Sequence, residues 1–207
     1  MHLLFATHNL HKLKEAKVIL GSFFEVMGLS DLPEDVDLIE TGDSLEANAA
    51  IKVDTVWHFI VDRGYHSRYD IRYVFADDTG LEISALDGKP GVMTARWAGD
   101  VKDDAMNRKK ALLELRDKKD RSACFRTVVT LTNGQYNVFF EGVLRGYIGE
   151  KEVGINGFGY DSIFVPVMSN DRVSKLSLAQ MDENEKNHIS HRYKALFKMR
   201  TFLLNQQ

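Results

Sequence analysis

The stretch Cys124-Phe125-Arg126-Thr127-Val128-Val129-Thr130-Leu131, followed by Thr132-Asn133-Gly134-Gln135 and then Tyr136-Asn137-Val138-Phe139-Phe140-Glu141-Gly142-Val143, decides the class of fold. β-Branched and aromatic residues dominate both arms, and Asn-Gly between two such runs favours the tight turn of an antiparallel hairpin. Upstream, Leu3-Leu4-Phe5-Ala6 reads as a short buried strand, followed by the polar turn Thr7-His8-Asn9 and by helical spacing from Lys12 to Leu20. Strands interleaved with helices, plus one hairpin, predict an α/β fold with a mixed sheet flanked by helices.

The remaining elements follow from the same signals. A second strand is expected at Phe24 to Met27, and Asp43 to Glu46 has the spacing of a capping box. The helix that it opens carries Ala49, Val53, Val56, Trp57 and Ile60. Tyr73 to Ala76 is a strand expected to end at two aspartates, and Asp103 to Leu115 is an amphipathic helix. Glycines from Gly154 to Gly159 lead to the strand Ile163-Phe164-Val165, and a final helix carries Leu196, Met199 and Leu203 on one stripe. With no repeat, linker or low-complexity tract, residues 1–207 suffice for one large domain or two tightly joined lobes.

Composition narrows the function. Hydrophobic residues at 44% and charged residues at 28% are ordinary globular usage. A net charge of −3 argues against wholesale binding to nucleic acid or an anionic membrane, which reward positive excess. No apolar run approaches the roughly 18 to 20 residues that span a bilayer, and Met1 to Ala6 does not read as a secretion signal. The single cysteine, Cys124, permits no intrachain disulfide and reads as a packing residue, so a cytoplasmic protein is expected.

Four polar clusters interrupt the apolar pattern, and each has a plain alternative. Thr7-His8-Asn9-Leu10-His11-Lys12 combines a helix start with a hydroxyl, an amide and an ammonium, which can cradle phosphates; an ordinary capped turn looks the same. Asp77-Asp78-Thr79-Gly80 places adjacent carboxylates after a buried strand, where a hard cation such as Mg²⁺ would relieve their repulsion; a solvated turn is the alternative. Glu40, before Thr41-Gly42, offers a third carboxylate. Gly157-Phe158-Gly159-Tyr160-Asp161 could bring backbone and a flat ring against a base, or be a tight turn with its aromatics packed inward. Lys186 with Ser190-His191-Arg192 could aim donors at a ligand from a helix entrance, or be only a charged entrance capped by Ser190.

Taken together and in order, these segments resemble the inosine/xanthosine triphosphate pyrophosphatase family, which acts on noncanonical purine nucleotides. The likeness runs from Phe5-Ala6-Thr7-His8-Asn9 to Ile189-Ser190-His191-Arg192. It takes in Glu40-Thr41-Gly42, Asn48-Ala49 with Lys52, Ala76-Asp77-Asp78-Thr79-Gly80-Leu81, Pro90-Gly91-Val92 with Ala95-Arg96, and Gly157-Phe158-Gly159-Tyr160-Asp161. The resemblance implies an elongated α/β fold of two lobes with the active cleft between them, usually dimeric. It implies phosphate binding by Thr7, Asn9, Lys12 and the intervening backbone of His8, Leu10 and His11, joined by Lys52, and metal binding by Glu40, Asp78 and Asp77, with Asp78 as the general base. Thr79, Phe158, Gly159, Tyr160, Asp161, Lys186, His191 and Arg192 would surround the nucleoside. His8 stands where the family often has glycine, Ala47 where glutamate is common, and Ser162 where proline is frequent. A nucleotide-binding regulator without turnover, and an enzyme for a different damaged nucleotide, are the rival readings.

Overall fold

The computed structural model describes residues 1–168 and 171–206. The chain divides into two compact units, one of Met1–Asp78, Thr127–Gly142 and Tyr193–Gln207, the other of Thr79–Arg126 and Val143–Arg192. Strands β1 (His2–Phe5), β2 (Glu25–Gly28), β3 (Ile71–Ile83), β4 (Pro90–Gly91), β5 (Ser122–Thr132), β6 (Asn137–Ile148) and β7 (Phe164–Pro166) form one sheet. Its order is β2-β1-β3-β5-β6-β7, with β4 paired to β3. β1 is parallel to β2 and β3, whereas β4 and β7 pair antiparallel, so the sheet is mixed as expected. The helices are α1 (Leu10–Leu20), α2 (Leu45–Asp62), α3 (Tyr65–Arg68), α4 (Asp104–Glu114), α5 (Glu183–Ile189) and α6 (His191–Leu204).

In the first unit, the period-two alternation of β1 sorts its residues between two cores. Leu3 and Phe5 pack with Leu13, Ala16 and Leu20 of α1 and with Leu196, Met199 and Leu203 of α6. Leu4 and Ala6 pack with Val53, Val56 and Ile60 of α2. β3 alternates the same way, Phe75 joining the first core and Val74 and Ala76 the second. Phe5 and Phe75 stack at 4.4 Å between ring centroids. Each such large side chain contributes about 1.5–3 kcal/mol by leaving water. Strands buried on both faces need helices on both, which explains the unbroken apolar reading of Leu3 to Ala6. In the second unit, Leu81, Ile83, Phe125, Leu144, Ile148 and Phe164 pack against Ala111 of α4 and Leu115, which caps it.

Several boundaries differ from the sequence-based expectation. The hairpin arms are longer, because β5 begins at Ser122 and β6 runs on to Ile148. At the turn, Gly134 (φ +83) lies so close to the Trp57 ring that a Cβ would collide with it. α2 is capped by Ser44 rather than Asp43: the Ser44 hydroxyl accepts from Ala47 N–H at 3.2 Å. The largest change is in β3, which does not end at the aspartates but continues through Asp77-Asp78-Thr79-Gly80 to Ile83. Among the described residues, no helix is long and apolar enough to cross a membrane.

Candidate active site

Continuation of β3 through the aspartates sends the two carboxylates to opposite faces of the strand. Asp77 follows Phe75 toward α1, and its Oδ1 accepts from Lys12 Nζ at 2.8 Å. Asp78 follows Val74 and Ala76 toward α2, and its Oδ2 accepts from Asn48 Nδ2 at 3.0 Å. Lys52, one turn after Asn48 on α2, points the same way. Its ammonium lies 3.5 Å from Asp78 Oδ1, and it donates to Glu40 Oε1 at 3.1 Å and to the Asp77 carbonyl at 2.7 Å. The repulsion expected of side-by-side carboxylates is thus relieved by strand geometry, and each carboxylate has a lysine from its own helix.

Burial makes these contacts strong. Asp77 is 2% exposed, Lys52 4% and Asp78 9%. Burial raises the Asp78 carboxyl above the ordinary aspartate pKa and Glu40 adds to this, while Lys52, Lys12 and the Asn48 amide oppose it. Burial also works against the Lys52 ammonium, but Asp78, Asp77 and Glu40 together outweigh it and hold its pKa above the usual lysine value. Asn48 completes the network, its Oδ1 accepting from Gly42 N–H at 2.8 Å. A Cβ on Gly42 would meet Asn48 Oδ1 and the Asn48 nitrogen at 2.8 Å, so only glycine lets the Glu40 loop approach α2 this closely.

The turn before α1 is organised by capping. Asn9 Oδ1 accepts from His11 N–H at 2.9 Å and Lys12 N–H at 3.2 Å, and Thr7 Oγ1 accepts from Asn9 N–H at 3.1 Å. Its amide oxygen is therefore committed to the helix. His8 Nε2 donates to the Val36 carbonyl at 2.8 Å, tying the turn to the segment after α1 and β2. His8 is not among the residues with positive φ, so the glycine frequent at this place is not required by this backbone. Leu10 is 68% exposed and His11 is exposed, leaving Lys12 as the side chain of this turn that reaches the buried carboxylates.

The second unit gathers the other cluster. Asp161 Oδ2 accepts from Phe158 N–H at 2.9 Å and from Lys186 Nζ at 2.6 Å, and that ammonium lies 4.7 Å from the Phe158 ring centroid. Tyr160 points inward: it is buried, and its hydroxyl donates to the Thr94 carbonyl at 2.8 Å. Its side chain anchors the loop from within the core. Ser190 is the single extended residue between α5 and α6, and His191 and Arg192, both buried, open α6. The His191 ring stacks on Phe125 at 4.9 Å. Thr79 is half-buried on β3.

The sequence alone gives Asn48 no role and does not mark Asp104 and Arg108, which bond the Gly159 peptide, or Glu152, which bonds Arg108 and Ser162. Their spacing on or beyond α4 is that of ordinary surface charges. Cys124 is half-buried on β5, with Sγ 3.6 Å from Glu82 Oε2. Burial, then the Glu82 charge, push its thiol up to about 11, so it is no nucleophile at neutral pH. It lines a concavity of about 550 Å³ with Glu82, Arg145 and Tyr147, none of them a member of either cluster.

A family model described as Ham1 family matches residues 3–202. The chain belongs to the Ham1 family. Its relatives include a dITP/XTP pyrophosphatase of Christiangramia forsetii, 44% identical over 193 residues, which are 93% of each chain. Another dITP/XTP pyrophosphatase, from Porphyromonas gingivalis, is 42% identical over 98% of this chain and 97% of the relative. The solved Ham1 protein of Staphylococcus aureus matches with a TM-score of 0.83 at 34% identity, covering 100% of both chains. This agrees with the α/β fold and with the resemblance drawn from the motifs.

Proposed function

We propose that this Ham1-family chain hydrolyses deaminated purine nucleoside triphosphates, of the dITP, ITP and XTP type, to the monophosphate and pyrophosphate. The observation that carries the reading is the buried network of Lys12, Asp77, Lys52, Glu40, Asp78 and Asn48. Two lysines already balanced by carboxylates can turn their charge to incoming phosphates only if a cation takes up the carboxylates in exchange. The donor set fits a hard divalent ion, being carboxylate oxygen throughout. Among the described residues, no group of three or more His, Cys, Asp and Glu could hold an ion alone. Mg²⁺ characteristically uses one or two carboxylates plus substrate phosphates, and Glu40 and Asp78, which share Lys52, can supply the protein's part. When bound, Mg²⁺ would neutralise phosphate oxygens and the charge of the departing pyrophosphate.

The chain's own residues do the rest. Lys12 and Lys52 bind and offset the outer phosphates, and Thr7 and the α1 turn contribute hydroxyl and backbone donors. Asp78 takes the proton from the attacking water and aligns it on the α-phosphorus. Phe158 stacks on the purine, and Lys186, His191 and Arg192 present donors to it. The two units act as lobes of one domain, and the same reading extends to a homodimer in the cytoplasm. Attack at the α-phosphorus must give pyrophosphate and a monophosphate. Chromatography of an early time point with dITP and Mg²⁺ is expected to show dIMP and pyrophosphate, whereas dIDP with orthophosphate would overturn the assignment.

Base selectivity gives a second test. Hypoxanthine and xanthine carry an acceptor at position 6 where adenine carries an amino donor. A donor-lined site leaves the adenine N–H groups facing other donors, a buried mismatch worth roughly a thousandfold or more. Arg192 is always a donor and is buried at the start of α6. Arg192→Ala is expected to lower kcat/KM for ITP by about ten- to a thousandfold and to narrow the ITP:ATP ratio. An unchanged ratio, with both activities present, would remove Arg192 from base reading.

A further inference from the structure

We propose that Arg108 and Asp104 of α4 are positioning residues that fix the Gly157–Asp161 loop, and through it the Phe158 ring, in the form that binds the purine. The inference rests on the function proposed above and extends it to residues outside the ligand-facing set. Phe158 stands between two glycines in the left-handed region, Gly157 (φ +78) and Gly159 (φ +61). Such a segment is costly to order, because glycine backbone loses more freedom than any other.

The two glycines are held differently. Gly157 is wedged against the Asp161 carboxylate, where a Cβ would collide with Oδ2. At Gly159, a Cβ would meet no atom within 4 Å, so side-chain packing does not fix it; beyond the bond from Asp161 N–H to the Phe158 carbonyl at 3.2 Å that closes the turn, it is held by the hydrogen bonds of its own N–H and carbonyl. Both of those bonds go to α4. Gly159 N–H donates to Asp104 Oδ2 at 2.9 Å, and the Gly159 carbonyl accepts from Arg108 Nη1 at 2.8 Å. Asp104 and Arg108 are four residues apart and lie on one helical face. Arg108 Nε also donates to Glu152 Oε2 at 2.8 Å, and the same oxygen accepts from Ser162 Oγ at 3.0 Å. One guanidinium thus ties loop position 159 to position 162 beyond the Asp161 carboxylate. The Arg108 side chain is only 19% exposed, so water replaces its bond to the Gly159 carbonyl poorly.

The consequence is a conformational one. If the loop samples other forms, apparent affinity falls by the fraction that remains competent. Chemistry at the phosphorus, once substrate is bound, should be little affected, so the loss falls on KM rather than on kcat. Arg108→Met keeps the aliphatic stem and removes the donors. With dITP and Mg²⁺, its KM is expected to rise about five- to thirtyfold with kcat within about threefold of wild type. Amide hydrogen exchange across residues 157–161 should quicken at least about tenfold. Asp104→Ala should raise KM about two- to fivefold, and Asp104→Asn, which keeps an acceptor oxygen for Gly159, should restore it. An unchanged KM in Arg108→Met, or a fall in kcat alone, would overturn the proposal. Where Arg108→Met melts too low to assay, equal KM values for Asp104→Ala and Asp104→Asn would do the same. If wild type releases no pyrophosphate from dITP, the proposed function fails, and unchanged exchange in Arg108→Met then overturns the clamp separately.

Discussion

Replacing Asp78 by asparagine is expected to lower turnover of dITP at least about a hundredfold while leaving the fold intact, the span usual for loss of an acid–base group. The fold should survive because the network loses a charge rather than a side chain. Asp78 is 9% exposed and burial already disfavours its ionised form, so neutralising it relieves a desolvation cost. Against that, an asparagine between Asn48 Nδ2 and the Lys52 ammonium can offer its single oxygen to only one of the two donors. Its NH₂ group must face the other, a mismatch worth about 1–3 kcal/mol. Function has no such compensation: an amide cannot accept the proton of the attacking water, nor contribute a negative ligand beside Glu40. Steady-state pyrophosphate release and a thermal melt on the same preparation check both halves. Near-normal turnover would take Asp78 out of the mechanism.

The other large effect is on stability. Lys52→Met retains the length and aliphatic bulk of the side chain but removes the ammonium shared by Glu40, Asp78 and the Asp77 carbonyl. Breaking a buried charge group by deleting one partner costs about 3–5 kcal/mol, because the remaining carboxylates stay desolvated. For a chain of this size that corresponds to a fall in Tm of roughly 6–20 °C. Its pH dependence has a definite sign. Without Lys52, burial pushes the Asp78 pKa further above its unfolded value, so the folded state favours the protonated acid. The penalty is therefore small below the unfolded aspartate pKa of about 3.9 and grows as pH rises through the folded value. Metal-free melts at pH 5 and pH 8 should show the deficit larger at pH 8. A deficit that is flat, or larger at pH 5, would show that Lys52 does not neutralise Asp78.

Much of this was legible in the residues themselves. The Asn133-Gly134 turn between two β-rich arms fixed the hairpin, because only a few residues suit left-handed turn positions. Unbroken apolar runs at Leu3–Ala6 and Tyr73–Ala76 identified strands covered on both faces, and the Leu196, Met199 and Leu203 stripe identified the last helix. The polar clusters marked the candidate site because hydrophilic groups interrupt buried segments only where something meets them. Tertiary structure alone decided what meets them. A local reading ended β3 at Asp77, since two acids in a strand look prohibitive. The strand continues because lysines 65 residues earlier (Lys12) and 25 residues earlier (Lys52) arrive from helices on its two faces. Asn48 became the partner of Asp78, and Arg108 the tie of the Phe158 loop, for the same reason. Hydrophobic periodicity and turn chemistry are local and can be read along the chain. Charge neutralisation at low exposure is a property of which side chains the fold brings within about 3 Å of one another, and sequence separation carries no record of it.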